Sequence, residues 1–131
     1  SSRNGQGREE RSVSRSKDAG DRFETWVARW LSDVFGDARI DRMALHGAHD
    51  RGDVSGIYAH GQKVVVECKN CRSLKLSKWI SETEDERDNS DALAGVCFIK
   101  RRGCGEQSMG DQYVLMTARD FVSLVSGVKE E

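Results

Sequence analysis

The chain contains no proline. Nothing in it can serve as a Pro-rich linker, and no internal repeat divides it, so its 131 residues read as one domain around a single core. Long apolar runs are missing too: none approaches the roughly 18–20 residues that a membrane span requires. The polar N-terminus lacks the apolar centre of a signal peptide. A cytoplasmic location without a membrane partner is the expectation. An excess of charge of one sign is also absent, since 21 Lys and Arg stand against 22 Asp and Glu for a net charge of −1. That balance argues against a protein that coats nucleic acid without specificity. Among the four cysteines, Cys68 and Cys71 make a CxxC pair, but no second CxxC or CxxH follows to complete a zinc site. Cys68 and Cys97 fall in apolar strands, where a free cysteine acts as a small hydrophobe, so reduced thiols are expected.

What is present is charge in plenty and a modest core: 33% charged and 37% hydrophobic residues. The charge is unevenly spread. Arg3, Arg8, Arg11, Arg15 and Lys17 lie in the first 17 residues, opposed only by Glu9 and Glu10, whereas Ser81 to Asp91 carries six acids against Arg87. Residues 1–19 are almost free of apolar side chains and cannot offset the entropy of ordering, which describes a disordered tail or a basic arm that touches phosphates. The folded domain is expected over residues 20–131.

From Asp21 the spacing turns helical. Phe23, Trp26-Val27, Trp30-Leu31 and Val34-Phe35 recur every three to four residues, and Gly36 supplies a stop. A first strand is expected within residues 38–45, a second from Asp53, and a third over Lys63–Lys69. Leu74 to Asn89 reads as a helix with Leu76, Trp79, Ile80 and Thr83 on its apolar face and an acidic, solvated second half. Ala92–Ile99 is nearly continuous apolar sequence, as in a central strand buried on both faces. A glycine-rich loop over 101–111, a strand over Gln112–Met116 and a last helix opened by Thr117 complete the chain, with Thr117 and Asp120 close to a capping box. The order α-β-β-β-α-β-β-α, with a helical crossover between the third and fourth strands, defines an α/β (α+β) fold with a mixed sheet.

The chemistry gathers between Asp53 and Lys69. Alternate residues of a strand share a face, so Glu67 and Lys69 project together while Cys68 points away. If the chain reverses at His60-Gly61, residues whose numbers sum to about 120 face each other, and Asp53 lands opposite Glu67 within a residue of register. Cross-strand Cβ atoms are roughly 4.5–5.5 Å apart. Two carboxylates that close repel unless a cation lies between them, and hard oxygen ligands suit Mg²⁺ or Mn²⁺. A metal site with a lysine beside it is the expectation. Asp50, in the preceding loop, is a rival ligand. His46, His49 and His60 fall in loop and turn, where nucleic-acid contact or solvation suits them better than zinc.

Asp53 followed by Glu67-Cys68-Lys69 at the end of an apolar strand resembles the D…(D/E)-x-K signature of the PD-(D/E)XK nuclease superfamily. Within it, His49-Asp50-Arg51-Gly52-Asp53-Val54, then Val66-Glu67-Cys68-Lys69-Asn70, then Lys100-Arg101-Arg102-Gly103, is similar to small actinobacteriophage-type Holliday junction resolvases. The likeness covers residues from about 20 to 125. Gly52 stands where the motif has proline, a position that varies. The resemblance implies a restriction-endonuclease-like core and Mg²⁺ or Mn²⁺ held by Asp53, Glu67 and the backbone carbonyl of Cys68. Lys69 would orient water and neutralise charge. It implies for Glu24 an accessory ligand role, against the plainer reading of a first-turn acid that favours the helix dipole. Asn70, Arg72 and Lys75, with Lys100, Arg101, Arg102 and Arg51, become candidates for DNA contact; a solvated strand end is the other reading of Lys100 to Arg102. The implied partner is a four-way DNA junction, cut symmetrically by a homodimer. Flap or duplex DNA, or DNA binding without catalysis, are the alternatives.

Overall fold

The computed structural model describes residues 2–43 and 52–131, with the side chains of the first helix described from Asp18 onward. Three helices and six strands alternate as α1 (Ser2–Phe35), β1 (Asp41–Arg42), β2 (Val54–Ser55), β3 (Tyr58–Ala59), β4 (Gln62–Lys69), α2 (Leu76–Asn89), β5 (Ala94–Ile99), β6 (Tyr113–Leu115) and α3 (Ala118–Ser126), with a 3₁₀ segment at Glu106–Asp111. Helix α1 begins well before the apolar stripe and runs through the stretch whose composition points to a tail. His46, His49, Asp50 and Arg51 lie outside the described residues.

The sheet is mixed, in the order β1-β2-β4-β5-β6 with β3 paired to β4. Only β4 and β5 are parallel, aligned from Val64↔Ala94 to Lys69↔Ile99. A parallel pair needs a crossover, and α2 supplies it. Gly95 makes that crossover tight: a Cβ there would lie 2.9 Å from Thr83 Cγ2 and 3.0 Å from the Thr83 carbonyl.

The period of two along β4 separates two cores. Val64, Val66 and Cys68 pack with Val54, Val96 and Phe98 beneath Phe23, Val27, Ala28 and Leu31 of α1. The opposite face carries Cys97 and Ile99 under Trp79 of α2. The stripe of α1 ends sooner than its spacing predicts, because Val34 and Phe35 are exposed beyond the sheet. The second half of α2 is less solvated than its acidity suggests. Thr83 and Arg87 are buried there, and the Arg87 guanidinium donates to Asp120 of α3 at 2.8 Å. Asp120 also accepts from the Gly95 amide at 3.0 Å. Thr117 caps α3, its hydroxyl accepting from the Asp120 amide at 3.1 Å, and Gly127 closes that helix in the left-handed region.

Candidate functional site

The hairpin that delivers Asp53 turns at His60 and Gly61, both with positive φ, the backbone of a two-residue hairpin turn that follows the strand twist. Next to the turn the partners sum to 121, Tyr58↔Lys63 and Ala59↔Gln62. Further on, Val54 faces Val66, a sum of 120. One extra residue is therefore absorbed around Gly56-Ile57, as a β-bulge absorbs it. Gly56 has φ +91, and a Cβ there would lie 3.0 Å from the Arg39 carbonyl. The shift decides the chemistry. A plain ladder would set Asp53 against Cys68, on the α1 face; the shifted one ends at Val54↔Val66, and just beyond it the Asp53 carboxyl meets that of Glu67.

Hydrogen bonds hold Asp53 at the strand end. The Asp53 amide donates to the Val66 carbonyl at 2.8 Å and the Met43 amide to the Asp53 carbonyl at 3.0 Å. The Cys68 amide donates to Asp53 Oδ2 at 2.7 Å. Gly52 is fitted to this approach: its φ is +95, and a Cβ would meet the Val66 carbonyl at 2.9 Å. Proline, whose φ is fixed near −65°, has no place in that backbone.

The carboxylates strain against one another. Burial, then the charge and hydrogen bonding of Asp53, push Glu67 from an ordinary value near 4.5 up to about 9, with Glu86 adding to the rise and Lys69 opposing it. Glu24, reaching in from α1, is raised by burial and by Asp53, against the lowering effect of Arg42. Arg42 holds it in place, with Nη2 at 3.2 Å from Glu24 Oε2 and 3.2 Å from Asp21 Oδ1. Lys69 is half-buried, which disfavours its charge, but the hydrogen bond and charge of Glu82, with Glu67 and Asp53 behind them, raise its pKa on balance. Its Nζ lies 2.8 Å from Glu82 Oε2.

The expected residues thus divide. Asp53 and Glu67 come together, Glu24 acts on Asp53 electrostatically from the neighbouring helix, and Lys69 shares the Glu67 face while pairing with α2. Asn70 turns its amide to the Ala19 carbonyl of α1 at 3.3 Å. Arg72 and Lys75 are exposed in the loop before α2. Lys100 continues β5 beside the site, its amide donating to the Lys69 carbonyl at 2.9 Å. Arg101 lies over the Tyr113 ring, 5.2 Å from its centroid, and Arg102 is exposed. His60 is engaged elsewhere, its Nε2 2.8 Å from the Leu124 carbonyl. Cys68 packs into the core and burial raises its thiol pKa well above the ordinary value, whereas Cys71 is exposed.

Two participants escape sequence reasoning: Glu82, which holds Lys69, and Arg42, which holds Glu24. A signal for the first existed. Glu82 and Glu86 are four residues apart and so share a helix face, the face that meets Lys69 and Glu67.

Among the described residues no group of three His, Cys, Asp or Glu side chains has the geometry of a metal cage. Mg²⁺ does not need one, since it is commonly held by one or two carboxylates and keeps several waters. The Asp53–Glu67 pair fits such an ion on its own physics: the donors are carboxylate oxygens, and burial together with the charge of Asp53 disfavours on Glu67 the negative charge that a divalent cation would neutralise. Comparison of the chain with protein-family models, curated proteins and solved structures finds no match.

Proposed function

We propose that this chain is a metal-dependent DNA endonuclease of the PD-(D/E)XK kind, acting on branched duplexes and foremost on four-way junctions. The meeting of the Asp53 and Glu67 carboxyls at the end of the bulged hairpin, with Lys69 two residues further on the same strand face, carries the reading. Glu24 beside the pair, and a helical crossover after the third motif residue, support it.

Bound Mg²⁺ or Mn²⁺ supplies charge for a phosphoryl oxygen and lowers the pKa of an attacking water. Asp53, Glu67 and the Cys68 carbonyl would hold the ion. To hold an ion, Glu67 would have to be ionised, since a ligating carboxyl must be. The charge of Lys69 is favoured by Glu82, Glu67 and Asp53. A lysine kept cationic is a poor general base, so Lys69 positions the nucleophile and stabilises charge in the transition state. Arg72 and Lys75 line a hollow with Lys69, and Lys100 bonds to the Lys69 carbonyl; with Arg101 and Arg102 they would meet the phosphate backbone.

A junction requires two symmetric cuts, which a two-fold dimer provides. The exposed apolar residues Phe121, Val125 and Val128 of the C-terminal segment support self-association. Trp79 is buried against β5 and takes no part in it.

The test is cleavage of a labelled immobile four-way junction beside duplex, flap and single-stranded DNA in Mg²⁺ or Mn²⁺, with Glu67→Gln in parallel. Paired nicks confined to the junction and lost in Glu67→Gln are expected. Cutting of flaps or linear duplex would move the substrate while keeping the site, and binding without cutting would leave a DNA-binding module.

A further inference from the structure

Between the loop that leaves β4 and the first turns of α2 lies a cavity of about 350 Å³ whose wall includes Lys69, Arg72, Lys75, Lys78 and Glu82, with Trp79 behind. Four cations face one carboxylate. That carboxylate is already engaged, 2.8 Å from Lys69 and 4.0 Å from Lys78. Among the described residues the side chains of Arg72 and Lys75 have neither an ion-pair nor a hydrogen-bond partner. The cations also stand where α2 would favour acids, and its first turn has none. So much uncompensated like charge around a concave wall is relieved by an anion.

We infer that this cavity is a phosphate subsite, taking a phosphodiester group of the nucleic-acid strand whose neighbouring phosphate lies at Asp53 and Glu67. The inference rests on the nuclease reading for the identity of its ligand. Lys69 belongs to both places, so the cavity and the carboxylate pair adjoin through one side chain. Arg72, Lys75 and Lys78 hold the strand by charge, without reading sequence. Glu82 acts as a positioning residue: it keeps Lys69 on the border between the two phosphates and limits the positive charge of the wall.

The experiment is salt-dependent binding of a labelled duplex oligonucleotide in EDTA, using Glu67→Gln as the parent and adding Lys75→Ala and Lys78→Ala singly and together. Each phosphate contact removed should lower the slope of log K against log salt by about 1 and weaken binding evenly across sequences. Lys78→Arg, which keeps the charge, should restore the slope and guards against a folding defect. An unchanged slope in the double variant overturns the inference. Inorganic phosphate is titrated against thermal stability in a second arm. Protection by phosphate, lost in the double variant but accompanied by an unchanged DNA slope, would assign the cavity to a free anion and overturn the nucleic-acid assignment. Because no cutting is measured, a reduced slope in a protein that cleaves nothing would uphold the subsite while removing the nuclease reading; cleavage with an unchanged slope would do the reverse.

Discussion

Glu67 carries the largest consequence of any single residue, because its carboxyl is raised from near 4.5 to about 9 by burial and by Asp53. In the metal-free folded protein it retains a proton that the unfolded chain has lost at neutral pH. Folding therefore takes up a proton, and the free energy of unfolding on this account falls as pH rises from about 4.5 toward about 9. Below that window the contribution is fully present. Urea melts in EDTA across the range should show the decline, and Glu67→Gln should flatten it. If the pair holds Mg²⁺ as proposed, the ion should flatten it as well, by favouring the ionised carboxyl. A different residue governs stability on the far side of the sheet. Asp120 is wholly buried and serves both Arg87 and the Gly95 amide. Asp120→Ala leaves the Gly95 amide without its acceptor and removes one partner of the Arg87 guanidinium, which keeps Glu84 and Asp88; it should cost about 1–3 kcal/mol, read as a lower urea midpoint at unchanged m.

At the scale of elements, the hairpin and its bulge are the part most exposed to test. Gly56→Ala demands a positive φ from a residue with a Cβ and presses it to 3.0 Å from the Arg39 carbonyl. A loss of about 1–2 kcal/mol is expected, with cleavage falling further than stability does, because the register of Asp53 depends on this bend. Denaturation and single-turnover cutting of the same variant separate the two effects. The elements themselves were largely legible. Phe23, Val27 and Leu31 announce α1 by their spacing, three valines announce β4, and Thr117 with Gly127 frame α3, because each signal lies within a few residues of sequence. Gly56 was not legible: its bend is fixed by the Arg39 carbonyl, a contact between distant residues that leaves no local period. Nor was the burial of Arg87, which takes its place from Asp120 of another helix. For the site, Asp53, Glu67 and Lys69 could be placed from alternation and a hairpin count. Their keepers Arg42 and Glu82 could not, because ion pairs between elements follow from packing.

For the molecule as a whole, the two ends of the described sheet differ. At one end β1 is two residues long and both are charged, Asp41 and Arg42; at the other, β6 shows exposed Tyr113 and Val114. Phe121→Arg and Val125→Arg should each lower the sedimentation coefficient to that of a monomer. They should change unfolding by less than about 0.5 kcal/mol, since they replace exposed residues. Junction cutting should become uncoupled, leaving single nicks. Short, charged strands discourage pairing, whereas an open strand invites it. Joining two molecules β6 to β6 uses up the inviting edge of both and leaves only the blunted ones outward. A dimer of that kind would be self-limiting: growth would end at two copies, and the sheet would not propagate into a filament.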